Sequence, residues 1–189
     1  MENTNTQIQR KPALKAIDMA YIAVSAAFIA VCAWISIPVA IPFTLQTFAV
    51  CLISGLLGMK RGTLTVLIYI LLGAAGLPVF TGFKGGIGAL AGVTGGYIIG
   101  FIFTALIVGF ISDRFQKKTI PLIISMIFGI LLCYAFGTAW FMFLYTQNTG
   151  AIGLTAVLMK CVVPFIIPDM IKLAVAAILV KRLERFVKC

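Results

Sequence analysis

The sequence predicts an all-α integral membrane protein, a six-transmembrane-helix bundle with a folded external loop between helices three and four. Three observations lead there. Of 189 residues, 62% are hydrophobic and 11% charged, at a mean hydropathy of +1.14, far more apolar than a soluble domain. The apolar residues fall into six runs, and six spans of about 20 residues would use about two thirds of the chain. The cations, finally, cluster at alternate ends of those runs.

In chain order, residues 1–16 are polar and are expected to form a disordered cytoplasmic tail, 17–183 the membrane domain, and 184–189 a cytoplasmic C-terminal tail. The first run, Ile17–Ile37, is too long for a signal-peptide core and lacks a convincing cleavage site, so it is retained as a helix. Its small residues Ala16, Ala20, Ala23, Ala26, Ala27, Ala30 and Ala33 let another helix approach closely, within this chain or on a separate subunit. Spans two and three, Thr44–Met59 and Gly62–Gly76, hold about 16 residues each and reach only about 24 Å as straight helices. The hydrocarbon core is about 30 Å thick, so a thin or recessed outer side is expected there. Residues 77–89 are too irregular for lipid contact and should fold over the helices outside, shielding or lining a cavity. Span four, Leu90–Ile111, is entered through Gly88, Gly92, Gly96 and Gly100, a spacing that keeps small residues on one stripe and predicts close packing at Gly96 and Gly100. Span five is Ile120–Tyr145. Span six ends near Val180 and starts at Pro164 or Pro168, since proline is tolerated in a first helical turn.

Fifteen Lys and Arg against five Asp and Glu give a net charge of +10. Twelve of the fifteen lie in the N-tail (Arg10, Lys11, Lys15), after span two (Lys60, Arg61), after span four (Arg114, Lys117, Lys118) and in the C-tail (Lys181, Arg182, Arg185, Lys188). That alternation sets both termini in the cytoplasm of a plasma membrane. It explains the charge as topology signalling, and nucleic acid is not needed as a partner.

The composition also removes most chemistry. There is no His, which excludes histidine bases and His-ligated metal. Of Glu2, Asp18, Asp113, Asp169 and Glu184, only Asp169 lies away from an expected helix end, so no acid/base dyad or carboxylate metal cage can converge. Cys32, Cys51, Cys133, Cys161 and Cys189 are scattered without a C-x-x-C spacing and read as small core residues. No G-x-x-x-x-G-K-[ST] is present, so the chain cannot drive transport with ATP by itself. No catalytic residue, metal or resident cofactor is expected.

What remains is a short set of residues that are costly in a membrane. In Pro164-Phe-Ile-Ile-Pro-Asp-Met-Ile-Lys172, Asp169 and Lys172 share a helix face, about 5–6 Å apart at Cβ. A centred charge costs about 2.5–3.5 kcal/mol or more, and ionisable groups facing a bundle interior mark ligand or ion paths. A plain ion pair fastening the helix end is the alternative. Pro42-Phe-Thr-Leu-Gln-Thr47 opens span two with three hydrogen-bonding side chains: Thr44 suits a helix cap, while Gln46 carries both donor and acceptor into an apolar run. Thr94, Gly95 and Tyr97 offer exposed amides and a phenol near the outer loop. Tyr134 and Trp140 either line a cavity or, for Trp140 above all, sit in the interfacial belt.

Taken together, Pro-Phe-Thr-Leu-Gln-Thr (42–47), Gly-Leu-Pro-Val-Phe (76–80), Thr-Gly-Gly-Tyr (94–97), Tyr-Ala-Phe-Gly-Thr-Ala-Trp (134–140) and Pro-Phe-x-x-x-Asp-x-x-Lys (164–172) resemble the BioY family, the biotin-specific substrate-binding (S) components of energy-coupling-factor (ECF) transporters. Val93 stands where that family commonly has proline. The resemblance implies a six-helix bundle that captures biotin from outside and works with a transmembrane coupling subunit and two cytosolic ATPases. It also implies that the alanines of span one, Ala23, Ala26, Ala27 and Ala30, meet the coupling subunit. Biotin's chemistry agrees. Asp169 can accept from the ureido N–H groups, Lys172 can donate to the ureido oxygen or the carboxylate, and Gln46 and Tyr97 can complete the set. Phe43, Phe80 and Trp140 can enclose the apolar parts. Which end of biotin meets which residue stays open, as do an S component for another vitamin and a small ion-coupled carrier using Asp169.

The topology has a direct check. In intact cells expressing a cysteine-free background, Lys84→Cys should react with an impermeant thiol reagent and Lys117→Cys should be shielded. Reaction at 117 with protection at 84 would mean the inverted orientation.

Overall fold

The structure, a computed structural model, describes residues 15–38, 41–150 and 153–187. Most of the expected N-tail and the end of the C-tail thus lie outside the described residues. Helix α1 (Ala16–Trp34) begins where the Lys15 backbone N–H donates to Asp18 Oδ2 at 3.1 Å. It stops three residues before the expected Ile37. There the chain turns into strand β1 (Ser36–Ile37), which pairs antiparallel with β2 (Phe43–Thr44).

Helix α2 (Gln46–Ala74) takes in both spans expected at 44–59 and 62–76. As a straight rod, residues 46 and 69 would stand about 35 Å apart. Instead the Gln46 Nε2 donates to the Tyr69 Oη at 2.6 Å. The helix folds back on itself at Gly58, whose φ of 78° lies in the left-handed region. The reversal exposes backbone groups that a helix interior would satisfy, and the end of α4 (Gly95–Arg114), together with Lys117 just beyond it, supplies partners. Ser112 Oγ donates to Gly55 O at 2.6 Å, Lys117 Nζ donates to Leu56 O at 2.8 Å, and the Met59 N–H donates to Asp113 Oδ2 at 2.9 Å. Arg61 closes the same end with an ion pair to Asp18 at 2.7 Å.

A short helix, α3 (Ile87–Ala91), precedes α4, so span four starts later than Leu90. Gly92 is extended there, and the chain passes so tightly that a Cβ on Gly95 would run into the Leu90 carbonyl. Helix α5 (Thr119–Thr149) comes next, then α6 (Leu154–Cys161) and α7 (Val163–Leu183), which has Pro164 in its first turn and Pro168 inside it. Among the described residues, five helical stretches are long and apolar enough to cross a membrane: Ala16–Trp34, Gln46–Ala74, Gly95–Arg114, Thr119–Gln147 and Leu154–Leu183.

The first half of α2 lies at the centre. On one side Leu52 packs with Leu122, Met126 and Val180 of α5 and α7; on the other, Val50 packs with Ile29, Val66 and Ile98 of α1, the second half of α2 and α4. Large apolar side chains such as Val24, Leu71, Phe128 and Ile167 face outward, as a lipid-embedded surface requires. Gly96 and Gly100 sit against Trp140 and Cys133 of α5, the close packing their spacing predicts.

The alanine stripe of α1 is divided. Ala26 and Ala30 are buried against the rest of the chain, while Ala23 and Ala27 are exposed. The expectation that all four meet a partner is corrected for Ala26 and Ala30, which the chain itself covers, because adjacent residues on a helix are turned about 100° apart.

Lys60, Arg61, Arg114, Lys117 and Lys118 gather at the Gly58 end, and Val180, just before Lys181, packs against Gly55. Gly58→Ala should destabilise the protein by about 1–3 kcal/mol for the positive-φ backbone, a region essentially reserved for glycine, and by more because a Cβ there meets the Asp113 carboxylate. A thermal melt indistinguishable from wild type would show that the reversal does not depend on that conformation.

Candidate ligand-binding site

At the other end of the bundle, α2, α4, α5 and α7 part around a cavity of about 590 Å³, in the range of small-molecule sites, about 300–1,000 Å³. The β1–β2 segment and residues 80–94 roof it. Its floor is built on α7. Asp169 stands in the second turn, beyond the reach of the terminal dipole, so direct donors hold its charge. Oδ1 accepts from Lys172 Nζ at 2.8 Å and Thr47 Oγ1 at 3.1 Å, and Oδ2 accepts a very short bond from the Tyr134 hydroxyl. Lys172 Nζ also donates to the Thr44 carbonyl at 2.6 Å and to Thr47 Oγ1 at 3.3 Å, and lies 3.9 Å from the centre of the Phe43 ring. Asp169 is 2% and Lys172 7% exposed. They are paired as the plain ion-pair reading expects, and both also line the cavity.

Gln46 is the second polar hub. Its Oε1 accepts from Thr44 Oγ1 at 3.3 Å and Thr81 Oγ1 at 3.2 Å; Tyr69, which takes its Nε2–H, donates its own hydroxyl proton to Val79 O at 3.1 Å. One amide thus joins the strand pair, both halves of α2 and the roof. Thr44 also accepts the Gln46 N–H at 3.3 Å, a cap-like role, although the N-cap position itself is Leu45.

Asp169, Lys172, Gln46, Thr44, Thr94, Tyr97, Phe80 and Tyr134, all expected from the sequence, line the cavity. Tyr97 presents its ring, which packs where Gly137 leaves room, and its hydroxyl is enclosed beside Thr138. Gly95, Phe43 and Trp140 are not among the lining residues. Gly95 is packed behind against Leu90; Phe43 sits beneath Lys172, stacked on Phe165 at 6.2 Å; and Trp140 Nε1 donates to Gly92 O at 3.0 Å, propping the turn before α4. They support the wall from the second layer.

Thr81, Lys84, Phe165, Cys133 and Cys161 line the cavity without having been singled out as site residues. For Lys84 a signal exists: with Lys160 and Lys172 it is one of three cations outside the alternating clusters. The others look like ordinary loop and core residues until the fold brings them together.

The model of the BioY family matches residues 4–189. The chain belongs to the BioY family. It is 43% identical over 160 residues to the biotin transporter BioY of Thermotoga maritima, covering 84% of this chain and 90% of that one. It is 37% identical over 172 residues to a probable biotin transporter BioY of Pyrococcus horikoshii, covering 90% and 98%. Among solved structures it matches the S-component for biotin from an ECF-type ABC transporter with a TM-score of 0.80, over 92% of this chain and 95% of that one, at 29% identity.

The Asp169–Lys172 pair separates stability from binding. Removing one partner of a buried pair costs about 3–5 kcal/mol, whereas replacing both is often tolerated. Lys172→Met should therefore lower the melting temperature sharply, and the Asp169→Asn, Lys172→Met double variant should regain much of it. If the pair only fastens the helix, ligand affinity returns with stability; if it forms the site, the well-folded double variant stays at least about tenfold weaker.

Proposed function

We propose that this chain captures biotin and carries it across the plasma membrane as the substrate-specific subunit of an ATP-driven ECF-type uptake system. The observation that carries this reading is the cavity floor: a carboxylate, an ammonium and a phenol converge on a closed polar cluster facing an otherwise mostly apolar chamber. Biotin's ureido group, with two N–H donors and a carbonyl, suits that floor, and its thioether ring and aliphatic chain suit walls such as Phe80, Phe101 and Phe165. Asp169 Oδ2, which among the described residues accepts from the Tyr134 hydroxyl alone, has lone-pair capacity for a ureido N–H.

In this reading the chain crosses the bilayer six times, the two halves of α2 each making one crossing, with residues 17–183 forming the membrane unit and short tails at either end. The Gly58 end, where the cations collect, faces the cytoplasm with both termini, and the cavity opens outward. ATP hydrolysis comes from two cytosolic ATPases through a transmembrane coupling subunit, and the chain itself is no enzyme. Ala23 and Ala27 form the small-residue contact with that subunit, since close helix approach in lipid needs small side chains on the exposed face.

The purified chain should retain biotin in preference to other vitamins and show no ATPase activity. Ala23→Trp with Ala27→Trp should abolish assembly with the coupling module while leaving biotin affinity within about twofold, and Ala26→Trp should impair folding instead, because that side chain is enclosed. A wild-type preparation that ignores biotin but binds another vitamin would overturn the substrate, and loss of biotin binding in the double-Trp variant would place those alanines inside the fold.

A further inference from the structure

The segment that roofs the cavity has two faces. Phe80, Thr81, Lys84 and Gly88 line the cavity, while Leu77, Phe83 and Ile87 stand outside it, Phe83 63% and Ile87 74% exposed. Trp34, Ile35 and Ile37, where α1 gives way to β1, are exposed as well. The two groups are joined, because Phe83 stacks on Trp34 at 5.0 Å. Phe83 does so on a backbone of φ 57°, which an aromatic residue keeps only where its surroundings hold it there.

Helix lengths set the depth of this patch. Arg61 pairs with Asp18 at 2.7 Å among the cations of the Gly58 end, so α1 and the second half of α2 are level there. Along the helix axes Trp34 lies about 24 Å and Ala74 about 20 Å beyond that pair, and any tilt lowers both. The hydrocarbon core is about 30 Å thick, so both helices stop short of its outer edge and the roof begins there. Trp34 Nε1 donates to Pro78 O at 2.9 Å, which fixes the roof at the height of an indole, a side chain that settles at the interface. The patch also continues a surface that lipid already covers. Val24, Phe28, Val31 and Ile35 recur at helical spacing on α1 and are all exposed, so the lipid-facing stripe of that helix runs into it.

Irregular backbone enters such a region only with its polar groups satisfied. The N–H groups of Leu77, Phe80 and Gly86 donate to Leu72 O at 3.1 Å, Lys84 O at 3.0 Å and Gly73 O at 2.7 Å. The Pro78 and Val79 carbonyls accept from Trp34 and Tyr69.

We infer that the outer face of the roof is a lipid-docking surface, on which Leu77, Phe83 and Ile87 insert beside Trp34 into the interface of the outer leaflet. The inference rests on the six-crossing arrangement proposed above and is independent of the ligand's identity. The cavity then lies at headgroup depth, and the bilayer fixes the height of its roof. Residues 77–89, expected to be kept from lipid by their irregularity, meet it through side chains alone.

The test places the full chain, cysteine-free apart from one introduced residue carrying a small fluorophore, in phosphatidylcholine nanodiscs. Quenching by lipid spin-labelled near its headgroup is compared with quenching by aqueous iodide. Ile87→Cys and Leu77→Cys should each lose about half or more of their emission to the labelled lipid and be shielded from iodide. Lys84→Cys, on the cavity face, should be quenched by iodide instead. Native Trp34, read in a Trp140→Phe chain with every cysteine in place, should follow position 87. Iodide reaching position 87 where the labelled lipid does not would put the roof in water, and shielding from both would put protein against it, a second copy included; either overturns the inference. Leu71→Cys, on the exposed face of the second half of α2, tests the arrangement itself. If iodide reaches position 71, that half does not cross the bilayer, and the six-crossing reading falls together with this inference.

Discussion

A carboxylate and an ammonium 2.8 Å apart inside an apolar bundle are the constraint around which the rest is arranged. Neither charge tolerates this environment alone, and even the pair needs its remaining donors and acceptors satisfied. Thr47 from α2 and Tyr134 from α5 complete Asp169, while the Thr44 carbonyl completes Lys172. Three helices and the strand preceding α2 are therefore held at one point. The cavity is the space left above that point, because the side chains that satisfy the pair hold the helices while the roof descends from elsewhere.

The opposite end uses its polar groups differently. Asp18 answers Arg61, and Asp113 takes the amide of Met59 where α2 reverses. These carboxylates satisfy a chain reversal, whereas Asp169 satisfies a pair that faces the cavity. The distinction between a structural and a ligand-facing carboxylate is thus not burial, since Asp18 and Asp169 are both buried, but what lies beyond their partners.

This division suits a capture subunit. A floor that is neutral as a whole can be enclosed by apolar walls at modest cost, and polar recognition is concentrated at the pair and at Gln46. Gln46 ties the roof to the floor through Thr81 and, by way of Tyr69, Val79, so the segment covering the cavity is registered to the helices that form it. The cations at the other end have no part in the cavity and mark the side on which the chain meets its energy source in the proposed assembly.

Helical class, the positions of most spans and the convergence of Asp169, Lys172, Gln46 and Thr44 on an interior cavity were legible in the sequence, because burying charge or amide in an apolar run carries a cost that local composition displays. The cation alternation was legible for the same reason. Tertiary structure decided the rest. It joined two expected spans into one helix folded at Gly58, since a left-handed glycine there needs Asp113, at the far end of α4, to hold it. It moved Gly95, Phe43 and Trp140 behind the wall and brought Thr81, Lys84 and Cys161 into it, and it turned Ala26 and Ala30 inward while leaving Ala23 and Ala27 outside. Which face of a helix meets a neighbour depends on rotation about its axis, and in a chain apolar on every side nothing in the local pattern sets that rotation; only the packing of the other helices does.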